Sequence, residues 1–236
     1  MSNRAVIVFG RNPAPGTVKT RIGAEIGQQE AARLYKALLL DTLRRCSTLD
    51  VDIRFYLEKT ERAIDRDLLE FDRAQLRQQG EGLGPRMTNA FDDTFSAGYA
   101  RVVIIGSDMP TLPPLRITQA FDSLSSERTV VLGPALDGGY YLLGLSRPCP
   151  QLFEGMSYTH RDVLSETLAR CSAADLQPIL LEPWYDVDTV NDLRRLAEDL
   201  RTGDGGCPAT RSFLISRGLI ENTSANQGSA SEKPVF

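Results

Sequence analysis

Only one histidine stands among the 236 residues, so a histidine-built zinc centre is excluded, because one imidazole cannot fill a tetrahedral ligand set. The four cysteines (Cys46, Cys149, Cys171, Cys207) are scattered and form no CxxC pair. They read as buried or incidental thiols, not as a metal or disulfide framework. Basic residues are not in excess either. A formal charge of −4 offers no broad positive field, so no nucleic-acid partner is expected, although local cations can still hold a small anion. Long apolar runs are also missing. The run at residues 5–9 is too short for a signal-peptide core, and nothing approaches the roughly 18 apolar residues that a membrane span requires. The expectation is a cytoplasmic chain without a membrane span. Composition says nothing of its oligomeric state.

What is present is an alternation of strand-like and helix-like segments. Residues 4–9, 51–57, 101–106, 129–133, 140–145 and 178–181 read as strands. RVVIIG (101–106) is β-branched and apolar on both faces, which predicts a central strand of a mostly parallel sheet. Residues 28–47 carry apolar side chains at three-four spacing, the mark of a helix with one buried face. Further helices are expected at 85–97, 114–124, 161–171 and 191–200, the last capped by Thr189. Residues 10–23 read as a Gly/Pro loop. The pattern predicts one α/β domain over residues 1–221, an open sheet with helices on both faces, and ligands outside the carboxyl ends of the strands. Residues 222–236, rich in Ser, Asn and Gln, read as a disordered tail.

Four segments follow strands and could carry chemistry. GRNPAPGTVKTRI (10–22) joins Gly/Pro turns, with the backbone N–H of Gly16 among them, to the cations Arg11, Lys19 and Arg21, a combination suited to a di- or triphosphate. It is neither a Walker loop nor a GxGxxG fingerprint. IIGSDMP (104–110) delivers Asp108 at a strand end, where a hard cation such as Mg²⁺ or Mn²⁺ would find a carboxylate. GPALDGGYYLLG (133–144) sets Asp137 before two glycines, a pattern shared by hairpin turns and ligand sites. YDVDTVNDL (185–193) holds Asp186 and Asp188. Read as a strand, it would point them to opposite faces, so that only Asp188 joins Asp108. Arg86, where GEGLGPRM enters a helix, could hold an anion. His160 reads as a cap or surface residue, and Trp184 with Tyr140–Tyr141 as core or pocket wall.

In this order, FGRNPAPGTVKTRI, AARLYKALLLDTL, GLGPRM, IIGSDMP, LGPALDGGYYLLGL and YDVDTVNDL resemble the DUF2064 family over nearly the whole of residues 6–200. Its members are glycosyltransferase-A-like proteins, similar to the guanylyltransferase of coenzyme F420 biosynthesis and to molybdenum-cofactor nucleotidyltransferases. Some are labelled as glycosyltransferases linked to arsenosugar biosynthesis. The resemblance implies a nucleotide-diphospho-sugar transferase fold, with phosphates bound by Arg11, Lys19 and Arg21 and a metal held by Asp108. In the related nucleotidyltransferases an Asp-Thr-x-x-Asp-Leu stretch gives a second metal aspartate, matched here by Asp188. A full Asp-x-Asp motif is absent, as is the Gly-Gly-x-Ser-x-Arg-Met signature. Three functions follow as expectations. The first is metal-dependent sugar transfer from a nucleotide-diphosphate sugar to a small acceptor, with Asp137 orienting or deprotonating the acceptor. The second joins a nucleoside triphosphate to a phosphorylated small molecule, and needs Asp188 on the metal. The third is nucleotide binding without turnover.

Overall fold

The computed structural model describes residues 3–72, 74–158, 161–202 and 206–221; His160 and residues 222–236 lie outside them. Six strands, β1 (Arg4–Gly10), β2 (Asp52–Leu57), β3 (Arg101–Ile105), β4 (Thr129–Pro134), β5 (Tyr140–Leu145) and β6 (Gln177–Leu180), form one sheet in the order β2-β1-β3-β5-β4-β6. The pairings β1–β2, β1–β3 and β4–β6 are parallel; β5 alone runs antiparallel, inserted between β3 and β4. From β1 the chain goes first to one side, to β2, and then to the other, to β3. The carboxyl ends of β1 and β3 therefore flank a topological switch point, where open α/β sheets bind ligands.

Period-two alternation splits the core into two layers. Val6, Val8, Val103 and Ile105 face α2 (Gln28–Cys46) and α4 (Pro114–Ser123), which contribute Leu39, Leu43, Ile117 and Phe121. Ile7, Val102 and Ile104 face the other way, toward Met87, Ala90 and Phe91 of α3 (Leu83–Ser96) and Cys171 of α5 (Val163–Ala173). Helices thus cover both faces of a mostly parallel open sheet, as expected. All four cysteines are buried, and none is in a disulfide among the described residues.

Two helices depart from the sequence reading. Residues 10–23 do not remain loop: α1 (Thr20–Ile26) starts inside them and runs through Gly23. That glycine makes no turn: it lies buried in the middle of the helix, and the nearest atoms a Cβ would meet belong to the flexible end of the Gln28 side chain. Gly27, at φ 93°, ends the helix. After α6 (Val190–Thr202) comes α7 (Pro208–Ser216), which was not foreseen. It seals a third apolar cluster formed by Leu34 and Leu38 of α2, Leu196 of α6 and Phe213 and Leu214 of α7. The α7 N-terminus lacks a cap of its own; Asp41 of α2, fully buried, accepts from the N–H groups of Ala209 (3.2 Å) and Thr210 (2.7 Å). Hydrogen bonds to a charged group contribute about 1.5–3 kcal/mol each way they are measured. Asp41→Ala should therefore lower unfolding free energy by about that much, read as a shifted urea midpoint, while nucleotide affinity in the folded protein is unchanged.

Candidate active site

β1 ends at Gly10, where a Cβ would press to 2.7 Å on the Phe55 ring, so the chain can leave the sheet only through glycine. The loop then folds on itself: Thr17 N–H donates to Ala14 O at 3.2 Å, with Pro15 and Gly16 (φ 79°) in the middle positions of a type II turn. Arg11 N–H donates to the Tyr35 hydroxyl at 2.8 Å, and that hydroxyl also bonds the buried Ser107 hydroxyl at 2.8 Å. One tyrosine of α2 therefore ties the first loop to the loop after β3. Lys19 adopts the left-handed conformation (φ 45°, ψ 45°) before α1, an unfavourable backbone for a side-chain-bearing residue and one that marks many functional positions.

The strained lysine points its ammonium between two carboxylates. Its Nζ lies 2.7 Å from Asp108 Oδ2 and 2.5 Å from Asp188 Oδ1, with only 5% of the side chain exposed. Burial acts to lower the Lys19 pKa, but the charges of Asp108 and Asp188 outweigh it and raise the pKa above the ordinary lysine range. Lys19 was expected on phosphate; here it pairs with both predicted metal ligands. Asp186 also joins them: Asp108, Asp186 and Asp188 each bring an oxygen within 4.8 Å of the others. This corrects the strand reading. Residues 185–188 have no strand structure, so a period of two does not govern which way Asp186 and Asp188 point.

Neighbouring contacts hold the acidic segment in place. Trp184 N–H donates to Pro134 O (3.0 Å) and Leu136 N–H to Trp184 O (3.2 Å), pinning its start to the end of β4. Val187 N–H reaches Asp108 O at 3.3 Å. Beyond it, Asp192 accepts from the N–H groups of Thr189 (2.7 Å) and Asp188 (3.2 Å), while Asp192 N–H donates to the Thr189 hydroxyl (3.3 Å). That reciprocal capping box starts α6, as Thr189 suggested.

Two cavities meet at this centre. The larger, about 730 Å³, is lined by Arg11, Lys19, Arg21 and Arg86 among others. Glu58 anchors two of these cations, at 2.7 Å from Arg86 Nη1 and 3.3 Å from Arg11 Nε. Gly16 is not in its lining. The smaller cavity, about 200 Å³, contains Asp137, Asp186, Tyr140 and Tyr158, and shares Leu83, Gly106 and Asp108 with the larger. Asp137 is both turn and wall. Its Oδ1 accepts from Gly139 N–H at 3.0 Å, and Gly138 (φ 97°) packs so close to Arg161 O that a Cβ would lie 2.0 Å away. Tyr35, Glu58, Ser107 and Tyr158 escaped sequence reasoning. Glu58 directly follows β2, and that strand-end position was the one usable signal.

Burial, then the charges of Asp108 and Asp188, push the Asp186 pKa from its ordinary 3.8 up to about 6. The folded chain therefore holds a proton between about pH 4 and 6 that the unfolded chain has released, and stability falls as pH rises through that window. In chelator-treated protein, Asp186→Asn should melt higher than wild type at pH 7.5 and equally at pH 4. An equal gap at both pH values would show that the charge of Asp186 is not the cause.

Residues 39–160, just over half of the chain, match the family described as an uncharacterized protein conserved in bacteria, DUF2064. The crystal structure of a candidate nucleotide-diphospho-sugar transferase from Desulfovibrio desulfuricans G20 is 34% identical. It aligns over 93% of this chain and 97% of its own, with a TM-score of 0.82. A nucleotidyl transferase from Methanothermobacter thermautotrophicus is 15% identical (85% of this chain, 99% of its own, TM-score 0.57). A cytidylyltransferase from Leptospira borgpetersenii is 12% identical (94% and 98%, TM-score 0.51). These two share the fold alone. Among curated proteins, none matches. With more than half of its length matched, and a 34% identical relative aligned along nearly all of it, the chain belongs to the DUF2064 family and carries the α/β fold of nucleotide-diphospho-sugar transferases.

Proposed function

We propose that the chain transfers a sugar from a nucleotide-diphosphate sugar to the hydroxyl of a small acceptor. The observation that carries this reading is the pair of adjoining cavities, one lined by cations and one holding Asp137, with Asp108 in the wall of both. The donor's diphosphate would lie in the larger cleft against Arg11, Arg21 and Arg86. Negative charge grows on that group as it departs, so fixed cations there stabilise the transition state more than the ground state. In the smaller cavity the acceptor oxygen bonds to the anomeric carbon as its proton passes to Asp137. The bond from that carbon to the diphosphate breaks, and its electron pair leaves on the nucleotide.

The acidic cluster fits a hard divalent cation, Mg²⁺ or Mn²⁺, because three carboxylate oxygens lie within 4.8 Å of one another and the Lys19 ammonium already rests between two of them. Bound there, such an ion would supply positive charge to the diphosphate oxygens. Asp108, Asp186 and Asp188 would hold such an ion, and Lys19, which pairs with Asp108 and Asp188, would keep a second positive charge beside it. A second reading, joining a nucleoside triphosphate to a phosphorylated molecule with release of pyrophosphate, is favoured by one observation. Asp188 stands beside Asp108, and that chemistry uses two carboxylates on the metal. Asp137 would then have no proton to take.

Incubation with nucleotide sugars or nucleoside triphosphates and Mn²⁺, scanned by thermal shift and then by mass spectrometry, separates these readings. Stabilisation by a sugar diphosphate supports the first, and stabilisation by triphosphates alone supports the second. Arg21→Ala should weaken binding of the stabilising nucleotide by roughly 10- to 150-fold, the equivalent of a charge-assisted contact of about 1.5–3 kcal/mol. Melting should scarcely change, because Arg21 is exposed on the first turn of α1. Asp108→Asn should abolish the metal-dependent part of the affinity in calorimetry. Affinities within twofold of wild type in both variants would overturn the reading of this cleft.

A further inference from the structure

The smaller cavity is selective in what it lacks. It carries Asp137, Asp186 and Asp108 on its wall, and none of the described residues lining it is a lysine, arginine or histidine. A phosphorylated acceptor placed there would bring its dianion against carboxylates, with no cationic side chain among the described lining residues to receive it. Such like-charge juxtaposition selects against a ligand as effectively as missing contacts do. Two of these carboxylates, Asp108 and Asp186, belong to the cation cluster, whereas Asp137 does not, so an ion bound there would not neutralise it directly.

The rest of the wall is apolar or aromatic. The ring of Tyr158 stands beside the start of α3, where a Cβ on Gly84 would come within 3.2 Å of it and within 2.7 Å of Phe153 O. Tyr140, Met109, Val163 and Leu83 complete the surface. Leu83 is 44% exposed, and Leu136, between the lining residues Ala135 and Asp137, is 60% exposed. Leu83 therefore offers an accessible apolar side chain in the cavity wall itself. A cavity of about 200 Å³ is slightly larger than the roughly 150 Å³ that holds one benzene ring.

The geometry points to an uncharged acceptor alcohol with an apolar or aromatic face, its hydroxyl toward Asp137, and to exclusion of phosphorylated acceptors. This rests on the transferase reading of the same site and narrows it to a substrate class. The ring of Tyr158 would lie against the acceptor's face, while Asp137 orients its hydroxyl and repels anions.

Two measurements keep the two claims apart. Calorimetry with UDP, GDP, CDP and ADP in Mg²⁺ tests the donor cleft by itself. Ligand-observed NMR then compares 3-phenyl-1,2-propanediol with glycerol 3-phosphate, with and without the diphosphate that binds. The diol should bind wild type about tenfold or more tighter than the phosphate ester. Tyr158→Ala should weaken the diol by about fivefold, the scale of one ring contact, and Asp137→Lys should strengthen glycerol 3-phosphate by about tenfold. Melting curves establish that each variant is folded, and Asp137→Asn, which can keep the turn, serves if the lysine variant is not. Preference of wild type for glycerol 3-phosphate, binding of neither probe, or equal diol affinity in wild type and Tyr158→Ala would overturn the inference. Diol binding without any nucleotide binding would leave the pocket assignment standing and sink the transferase reading. Nucleotide binding with a preferred phosphate ester would do the reverse.

Discussion

Mutual repulsion among Asp108, Asp186 and Asp188 is the constraint around which this molecule is arranged. With an oxygen from each within 4.8 Å of the others, unit charges repel by about 4 kcal/mol per pair at 4 Å under the screening typical of protein surfaces. A fold keeps such a cluster only if something compensates it. Lys19 does so, placing a nearly buried ammonium on two of the three, and its left-handed backbone shows that local strain is accepted to put it there. At Asp186 burial first, and then repulsion by Asp108 and Asp188, raise the pKa by more than the Lys19 charge lowers it. The cation site proposed above would relieve what repulsion Lys19 leaves.

The strand order makes that cluster possible with few long-range devices. β1 and β3 are neighbours and end at the same edge, so the Lys19 loop and Asp108 arrive together by topology. Asp186 and Asp188 come from far along the chain and must be brought in. The backbone bonds of Trp184 to the end of β4 fix the start of the segment, and the Thr189–Asp192 capping box fixes its end. Tyr35 adds the remaining tie, holding Arg11 and Ser107 with one buried hydroxyl. None of these supporting groups needs to touch a ligand. Each restricts the rotamers and loop paths of residues that would, which is what a preorganised site requires.

Strand and helix periodicity made the sheet and its two helical layers legible in advance, since Val6, Ile7 and Val8, or Val102 to Ile105, can alternate in only one way across a sheet. Where the reading failed, the cause was local. Gly23 was taken as loop because glycine usually punctuates, but here it lies buried inside α1. α7 begins at Pro208 with no capping side chain of its own, because its cap, Asp41, lies on another helix and cannot be seen in sequence. Asp186 was set aside by applying a strand's period to a segment that forms no strand. Asp108 and Asp137 stood out beside a strand end and a Gly-Gly turn, Lys19 among the cations of a Gly/Pro loop, and Asp188 just ahead of the Thr189 cap. Tyr35 and Tyr158 could not, since nothing in a helix face or a loop marks which aromatic ring will meet the site.

The donor half of the site does not decide between the two chemistries. Sugar transfer and nucleotidyl transfer both need phosphates held by cations, and both place growing charge on a departing phosphate group. The difference lies in the nucleophile. An acceptor phosphate is already ionised near neutral pH; it needs a cation to seat it and no base to activate it. An acceptor hydroxyl holds its proton until the transition state and gains from a nearby carboxylate. Asp137, held at the wall of the smaller cavity by the Gly138–Gly139 turn, would only repel the first nucleophile, whereas it has work to do for the second. The same comparison applies to the tyrosine and leucine side chains around it, which can hold an apolar face but bring no positive charge to a dianion. The chemistry of the acceptor wall therefore weighs toward sugar transfer, even though Asp188 gives the acidic cluster the second carboxylate that nucleotidyl transfer would use.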